Sequence, residues 1–474
     1  MTDSGRDLNF NRRVLRHSGW YLLAIGIQRG LGLVLLPVAT RVLSEDDLGT
    51  AGLLLALSAV LSVVLSFGLN VAVVRLFHDE PSGSRRGKGK KWAGVAVTQV
   101  GVSVVVGVLL VVTLPTWADL VSPRIGISDL RVAIAYAVSM SAFAMALSIV
   151  RTSQRSGLFL GISLLHVAIA IPSAILGLQR SGVVGYLLAL TIATTIAAIV
   201  GFATVLVRPA WSYSTMKAAS RLGVPFMLHQ GSSWILTGAD RVIIERDLGL
   251  TAVGAYYAPY SLGSIPALLA DAFNSAWAPA LFASSDQEED TRAGEWTANG
   301  LIVLVSGVVL VGSWVSPLVI RLIYPAATQV SIVLLVVIAI SSVSRVPYVL
   351  GVAMLMQRHR VGALTLATTS SAILNIGLNV VLIPVIGLVG AAIATAISYS
   401  LQALVVSRSS SGDLSGWWNA QISMLLVAAV SLPASIFLNS TLPVRLAVAG
   451  AAGIVGAAVV KRGFNLLIRP TSVL

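Results

Sequence analysis

The chain has 474 residues, of which 56% are hydrophobic and only 11% are charged. Because a soluble globular domain carries about 25% charged residues, this composition excludes an ordinary soluble fold and predicts a chain that lies mostly in lipid. The sequence contains no cysteine, which excludes disulfide bonds, thiol catalysis and thiolate metal sites. The net charge of +13 would suggest nucleic-acid binding in a soluble domain, but here its meaning depends on where the charges lie.

Apolar stretches of about 20 residues, the length of a membrane-spanning helix, recur along the whole sequence. Basic residues precede the first stretch, which lacks a small-residue cleavage site, so we interpret it as a membrane span and not as a signal peptide. The sequence therefore predicts an all-α polytopic membrane protein with about fourteen transmembrane helices. The predicted spans lie near residues 19–40, 49–74, 92–114, 130–150, 157–177, 183–207, 220–240, 251–277, 297–319, 329–356, 361–383, 388–406, 417–437 and 445–460.

The distribution of Lys and Arg predicts the orientation of these helices. With the N-terminus in the cytoplasm, 22 of the 32 Lys and Arg residues fall in cytoplasmic segments and eight fall outside. Short cytoplasmic loops are enriched in these residues, so we expect both termini to be cytoplasmic and no nucleic-acid partner. The densest basic stretch, residues 85–91, is expected to touch anionic headgroups. It is not a nucleotide-binding loop, because its glycine-to-lysine spacing is one residue short and no Ser or Thr follows the lysine.

Residues 41–49 and 241–249 form an internal repeat at an offset of 200, with Arg, Val, Glu, Asp, Leu and Gly identical in both copies. The copies join predicted spans 1 to 2 and 7 to 8, so the two six-helix halves share one orientation and are expected to surround a central cavity. We predict an N-terminal lobe over residues 1–208, a C-terminal lobe over 209–410 and two extra helices over 411–474. The alternative interpretation of the repeat is that residues 41–49 and 241–249 are two turns that are similar by chance, in which acidic residues begin a helix and Gly permits tight packing.

Three stretches of the sequence are similar to a known superfamily. They comprise Thr40 to Gly49 with Gly68-Leu69 and Val74-Arg75; Asp240 to Ile244 with Leu248-Gly249 and Val253 to Tyr256; and Asn375 to Asn379 with Ile383-Pro384, Gly387, Gly390 to Thr395 and Ser398. In these residues the chain resembles the multidrug/oligosaccharidyl-lipid/polysaccharide exporter superfamily. The first two stretches resemble its polysaccharide-transporter branch, the Wzx-like oligosaccharide flippases.

The resemblance implies two six-helix lobes that work by alternating access. It implies that a polyprenyl-diphosphate-linked oligosaccharide is flipped from the cytoplasmic to the outer leaflet of the bacterial cytoplasmic membrane, for cell-surface polysaccharide synthesis. It implies no cofactor, and partners that include membrane lipids, a polysaccharide polymerase and other assembly proteins. The two extra C-terminal helices are similar to a pair that forms a groove for the polyprenyl tail in lipid-carrier flippases.

Two arginines within predicted spans are the first candidates for cargo contact, because an ionisable residue deep in a membrane normally faces a cavity or a partner. Arg29 lies about ten residues beyond the start of span 1, roughly 15 Å along the helix. Arg345 follows a serine-rich stretch and precedes Pro347, which removes a helical hydrogen bond. Guanidinium stays charged in a low dielectric and offers phosphate two donors, so both residues are predicted to bind a diphosphate. The alternatives are a structural partner for Arg29 and snorkelling to the headgroups for Arg345.

Five further candidates complete the predicted site. Arg75 lies at the cytoplasmic end of span 2, and Arg41 and Arg241 lie in the repeat copies at the outer rim, where pairing with nearby acids is the alternative. Asp271 lies within span 8 and is interpreted as the counter-ion of an arginine or as a site for H+ or Na+. His229 shares its span with several polar residues and is a second candidate for such coupling.

Two other transport functions are compatible with the sequence, and a membrane enzyme is disfavoured by it. A cation-coupled multidrug antiporter of the same fold would need carboxylates in its cavity, and Asp271 alone is an obvious one. A flippase for the peptidoglycan lipid precursor would use the same arginine chemistry on a different saccharide. A membrane enzyme would need a catalytic surface loop, but the predicted outside connections are about 15 residues long at most and carry no catalytic or metal-binding motif. We therefore expect no catalytic residues and no metal site.

Overall fold

The structure is a computed structural model that describes residues 4–79, 85–153, 155–205, 208–283, 287–324, 331–358, 360–410 and 414–437. These residues form helices and no strand, which confirms the predicted all-α fold for the described part of the chain. The first of two units, Met1–Val242, contains α1 (Ser4–Val42), α2 (Glu45–Ser66), α3 (Leu69–Asp79), α4 (Arg85–Val121), α5 (Ile127–Thr152), α6 (Ser156–Val205) and most of α7 (Tyr213–Leu248).

The second unit, Ile243–Leu474, begins inside α7, whereas the repeat predicts a lobe boundary at residue 208. The lobe division drawn from the repeat stays a prediction. Described helices of the second unit are α8 (Leu250–Gly263), α9 (Ile265–Ala283), α10 (Gln287–Ile323), α11 (Ile332–Gln357), α12 (Val361–Ile386), α13 (Leu388–Ser410) and α14 (Ser415–Phe437).

Nine helices in the described ranges are long and apolar enough to cross a membrane, in keeping with a multi-pass membrane protein. α6 covers two predicted spans, because its 50 residues are interrupted at Ser181 and Gly182. The backbones of Gly177 and Gly185 lie in direct contact, so the chain reverses direction between them. Predicted span 2 is divided into α2 and α3, and predicted span 8 into α8 and α9. The predicted fourteenth span, residues 445–460, lies outside the described residues.

Hydrogen bonds from polar side chains join helices of the first unit to one another. Lipid is as apolar as a leucine side chain, so close packing and hydrogen bonds hold membrane helices to one another. Gln99 of α4 donates hydrogen bonds to the carbonyl oxygen of Leu65 at 3.2 Å and to the hydroxyl of Ser141 at 2.7 Å. Around this amide, Trp92 and Met145 belong to an apolar core formed by α3, α4, α5 and α7. The amide therefore joins α4 to both α2 and α5.

The two repeat copies differ at three of nine positions, and the difference at the fourth position explains their different local structure. In the first copy the hydroxyl of Ser44 accepts a hydrogen bond from the amide of Asp47 at 3.1 Å, so Ser44 caps α2 and α1 ends at Val42. The residue at the equivalent position of the second copy is Ile244. Isoleucine has no oxygen that could cap a new helix, and the chain continues there as part of α7.

α7 therefore runs past the end predicted near residue 240. It ends at Leu248, where Gly249 adopts a φ of 92° that residues with a side chain rarely adopt. Arg241 lies inside this helix and not in a loop, which corrects the sequence-based placement.

The turn between α2 and α3 lies against the backbone of α7. Gly68 has a φ of 65°, and an added Cβ would lie 2.0 Å from the carbonyl oxygen of Gly223. Both the left-handed backbone and the close approach therefore require glycine at this position.

We expect Gly68→Ala to lower the free energy of unfolding by about 2 kcal/mol, because it adds backbone strain and crowds α7. Thermal unfolding of the purified protein in detergent measures this loss. Gly182→Ala is the matched control: Gly182 has a φ of 56°, but an added Cβ there meets no atom within 4 Å, so we expect a loss of only about 1 kcal/mol. Equal losses in the two variants would contradict the role of the Gly223 contact.

α11 is the central helix of the second unit and packs against α8, α9, α10, α13 and α14. Most of its side chains are buried. Beside it, α12 and α13 are joined at Gly387, whose φ is 62°. Asn375 and Asn379 share one buried face of α12, and Nδ2 of Asn379 donates to Oδ1 of Asn375 at 2.9 Å. Because α11 packs against five neighbouring helices, a polar residue on α11 can contact side chains from several of them.

Candidate functional site

Arg345 of α11 is held by side chains from two neighbouring helices. Its Nη2 donates to the carboxylate of Asp271 on α9, at 3.3 Å to Oδ2 and 3.4 Å to Oδ1. Its Nη1 donates to the hydroxyl of Tyr399 on α13 at 3.3 Å. The site thus forms where α11 packs between α9 and α13, and it joins residues that are far apart in the sequence.

Two aromatic rings surround the guanidinium. Its central carbon lies 5.3 Å from the ring centroid of Tyr399 and 6.0 Å from that of Tyr348, within the range of cation–π attraction. The side chains of Arg345 and Asp271 nevertheless remain 19% and 17% exposed. The ion pair is therefore partly accessible and not sealed in an apolar core.

Arg345 keeps donor capacity for a further ligand. A guanidinium has five N–H donors, and Nε of Arg345 is buried without a hydrogen-bond partner among the described residues. The distances of 3.3 Å and 3.4 Å to Asp271 exceed the roughly 2.7–2.9 Å usual for charge-assisted hydrogen bonds. A partly exposed guanidinium in a loose ion pair is suited to donate hydrogen bonds to the oxygen atoms of an anion.

A neutral polar cluster adjoins Arg345 and fixes α14 to the second unit. The hydroxyl of Ser400 on α13 donates to Oε1 of Gln421 on α14 at 3.0 Å and lies 3.2 Å from the hydroxyl of Ser344 on α11. The indole N–H of Trp417 on α14 donates to the carbonyl oxygen of Ser400 at 2.9 Å. Ser344 precedes Arg345 in the chain, so α14 stabilises the segment of α11 that carries the guanidinium.

Sequence reasoning missed several of these neighbours. Tyr348 follows Arg345 by one helical turn and could have been found from that spacing. Tyr399 and Gln421 carry no such signal, because each lies on a different helix from Arg345 and becomes a neighbour only through helix packing.

The other predicted arginines lie in the first unit. Arg29 is exposed on α1 and Arg41 is exposed in the last turn of the same helix. Arg75 belongs to α3, and its side chain lies outside the described part. Arg241 is only 8% exposed and donates to the carbonyl oxygen of Thr237 at 3.3 Å.

His229, the second predicted coupling residue, is also in the first unit. It is 7% exposed, and its ring meets that of Phe226 edge-on with the centroids 5.3 Å apart. Of the predicted site residues, the structure brings Arg345 and Asp271 into contact. Within the described ranges, no group of three or more His, Asp or Glu side chains could hold a metal ion.

Several solved structures share the fold of this chain. The lipid II flippase MurJ, in an inward closed conformation, matches with a TM-score of 0.70 and 15% identity over 94% of this chain and 99% of MurJ. An inward-facing multidrug resistance MATE family transporter of the MOP superfamily matches with a TM-score of 0.67 and 17% identity, over 85% of this chain and 96% of that one. A MOP superfamily transporter from Pyrococcus furiosus, described by the reverse polarity of its binding pocket, matches with a TM-score of 0.53 and 17% identity, over 87% and 96%. The fold is that of the MOP exporter superfamily of membrane transporters.

The sequence identifies the family within this class. The sequence model of the polysaccharide biosynthesis protein family matches residues 14–285, and the chain belongs to this family. The resemblance to the polysaccharide-transporter branch is thereby confirmed. No curated protein matches the sequence significantly. The matched region includes Asp271 but ends before Arg345, so the charge at residue 345 has to be interpreted from the structure of this chain.

Proposed function

We propose that the protein flips a polyprenyl-diphosphate-linked oligosaccharide from the cytoplasmic to the outer leaflet of the bacterial cytoplasmic membrane by alternating access, with both termini cytoplasmic. The observation that carries this proposal is the loosely paired, partly accessible guanidinium of Arg345 in a membrane-spanning helix. Membership of the polysaccharide biosynthesis family supports the saccharide, and the fold supports transport across a membrane.

The charge of the site favours an anionic cargo. A guanidinium keeps its positive charge in a low dielectric and needs a counter-ion there. Asp271 supplies that counter-ion in the structure. A diphosphate offers several oxygen atoms to the forked donors of the partly exposed Arg345 side chain. Cargo binding would then release the carboxylate of Asp271, which would take up H+ or Na+ and couple the cation to flipping.

Arginines of the first unit are proposed as further candidates for cargo contact. Arg29 is exposed within the span Leu23–Val42, and an arginine exposed to hydrocarbon would be costly. We therefore place it on a polar path, with Arg41, Arg75 and Arg241 nearer the ends of their helices. His229 stays a candidate for ion coupling.

The alternative functions fit this site less well or use it in the same way. In a multidrug antiporter an organic cation would have to displace Arg345 from Asp271, and the guanidinium would then repel it. The peptidoglycan lipid precursor is an anionic cargo that the same site could bind, and the MurJ fold supports this second candidate. The family and the solved structures of similar fold are transporters, so we propose no enzymatic activity.

A leaflet assay in proteoliposomes tests the proposed function. A fluorescent polyprenyl-diphosphate-linked oligosaccharide is incorporated into both leaflets, and the fraction that a membrane-impermeant quencher reaches is followed over time. We expect the protein to make the whole probe pool accessible, whereas vesicles without protein leave about half protected. Transport of an organic cation without flipping of the diphosphate probe would contradict the proposal. Faster flipping of labelled lipid II than of the oligosaccharide would favour the peptidoglycan precursor.

A further inference from the structure

Two segments of the first unit meet at the beginnings of α4 and α7. The amide of Ala210, in the segment before α7, donates to the carbonyl oxygen of Lys90 at 2.8 Å. An added Cβ on Gly94 would lie 2.4 Å from the carbonyl oxygen of Ala210, so the two backbones are in contact. The segment that leads into α7 is therefore fixed against the first turns of α4.

This junction concentrates positive charge. Its exposed basic side chains are Lys90, Lys91, Arg208, Lys217 and Arg221. Neither residues 85–118 nor residues 208–239 contain Asp or Glu, so the two segments contribute only positive charge to the junction. Like charges gathered in this way repel one another, and a bound anion relieves that repulsion.

Aromatic side chains lie beside these charges. Trp211 is 69% exposed and Tyr213 is 66% exposed, with their ring centroids 6.4 Å apart. Nζ of Lys217 lies 5.9 Å from the ring centroid of Tyr213. Exposed Trp and Tyr next to basic residues are typical of the level at which lipid headgroups lie.

The surface of α7 has an open depression at this place, lined by Ser214, Lys217, Ala218, Arg221 and Leu222. Lys217 and Arg221 are one helical turn apart and face the same side. The opposite side of this turn, at Ala219, is buried in the core with α3 and α4. A hydroxyl and two cations therefore border a cleft that is open towards the surroundings.

We propose that this depression binds the phosphate of an anionic phospholipid of the surrounding membrane, with Lys217 and Arg221 as the principal contacts. Lys90 and Lys91 directly precede the long apolar stretch of α4, and basic residues flanking such a stretch lie at the level of the headgroups. An anionic lipid phosphate neutralises the charge, and its glycerol and acyl region can lie against Leu222 and the neighbouring aromatic rings. The bound lipid would hold the segment that links the hairpin of α6 to α7 at the membrane surface.

Native mass spectrometry of the purified full-length protein tests this site. The protein is titrated in detergent with phosphatidylglycerol or, separately, with phosphatidylcholine, and the bound fraction is measured. We expect the wild type to prefer phosphatidylglycerol. Lys217→Gln combined with Arg221→Gln should weaken phosphatidylglycerol binding about 25-fold, since each of the two basic residues near an anionic surface contributes a factor of about five. Phosphatidylcholine binding should not change.

Two control variants make the result specific. Arg124→Gln combined with Arg131→Gln removes the same charge from exposed positions at the other end of α4 and the start of α5, and should leave phosphatidylglycerol binding intact. Lys217→Arg combined with Arg221→Lys keeps the charge and should retain binding within about twofold, which also guards against a folding defect. Equal binding of the two lipids, or equal loss in the Arg124/Arg131 variant, would overturn the proposal. A polyprenyl diphosphate that depends on Lys217 and Arg221 while phosphatidylglycerol does not would identify a cargo site and overturn the phospholipid assignment.

Discussion

Arg345→Gln should slow flipping of the diphosphate-linked oligosaccharide about 100-fold, because a charge-assisted contact to the headgroup contributes about 1.5–3 kcal/mol. The initial rate in the leaflet assay, at equal amounts of reconstituted protein, measures this loss. Arg345→Lys should slow flipping only about tenfold. Lysine keeps the positive charge but loses the planar fork that binds two phosphate oxygens.

Arg180→Gln is the matched control for this experiment. Arg180 is exposed next to the interruption of α6, so its replacement removes one positive charge without touching the proposed site. We expect this variant to flip at the wild-type rate. Wild-type flipping by Arg345→Gln as well would show that Arg345 does not contact the cargo.

Asp271→Asn should lower the free energy of unfolding by about 3 kcal/mol. Removing one partner of a buried ion pair leaves an uncompensated charge and costs about 3–5 kcal/mol. The 17–19% exposure of this pair reduces the cost, because water screens an accessible charge. Thermal unfolding in detergent, compared with the wild type under identical conditions, measures the effect.

The double variant Asp271→Asn/Arg345→Gln separates stability from transport. It replaces the ion pair with two neutral polar side chains and leaves no uncompensated charge, so we expect most of the stability lost in Asp271→Asn to return. Flipping should stay as slow as in Arg345→Gln, because the guanidinium is still absent. A double variant no more stable than Asp271→Asn would contradict the pairing, and one that flips at the wild-type rate would contradict the cargo contact.

Much of the fold could be predicted because lipid imposes a simple rule on the sequence. Every backbone polar group in hydrocarbon needs an internal partner, so each long apolar stretch has to be a helix. The repeat at residues 41–49 and 241–249 was visible as residue identity, but its local structure was not. Ser44 ends one helix and starts another, whereas Ile244 lies inside a continuous helix. The breaks between α2 and α3 and between α8 and α9 were not predicted either, because each lies within one long apolar stretch of the sequence.

The candidate site could be predicted in part. Arg345 and Asp271 stand out as ionisable residues in apolar spans, and each was a candidate by itself. Their contact was not predictable, because spacing along one helix carries no information about which face meets another helix. The same limit applies to Lys217 and Arg221, which line the depression on the surface of α7. The basic stretch of residues 85–91 did not by itself predict where this depression lies.

The sequence by itself determined that this is a multi-pass helical membrane protein with a repeated motif and a few arginines inside apolar helices. It could do so because apolar composition, helix length and charge position are local properties of the chain. The tertiary structure decided which charges meet: α11 packs between α9 and α13, which places the guanidinium of Arg345 against Asp271 and Tyr399. Helix packing depends on side-chain shape over distances of many residues, and only the folded chain brings those residues together.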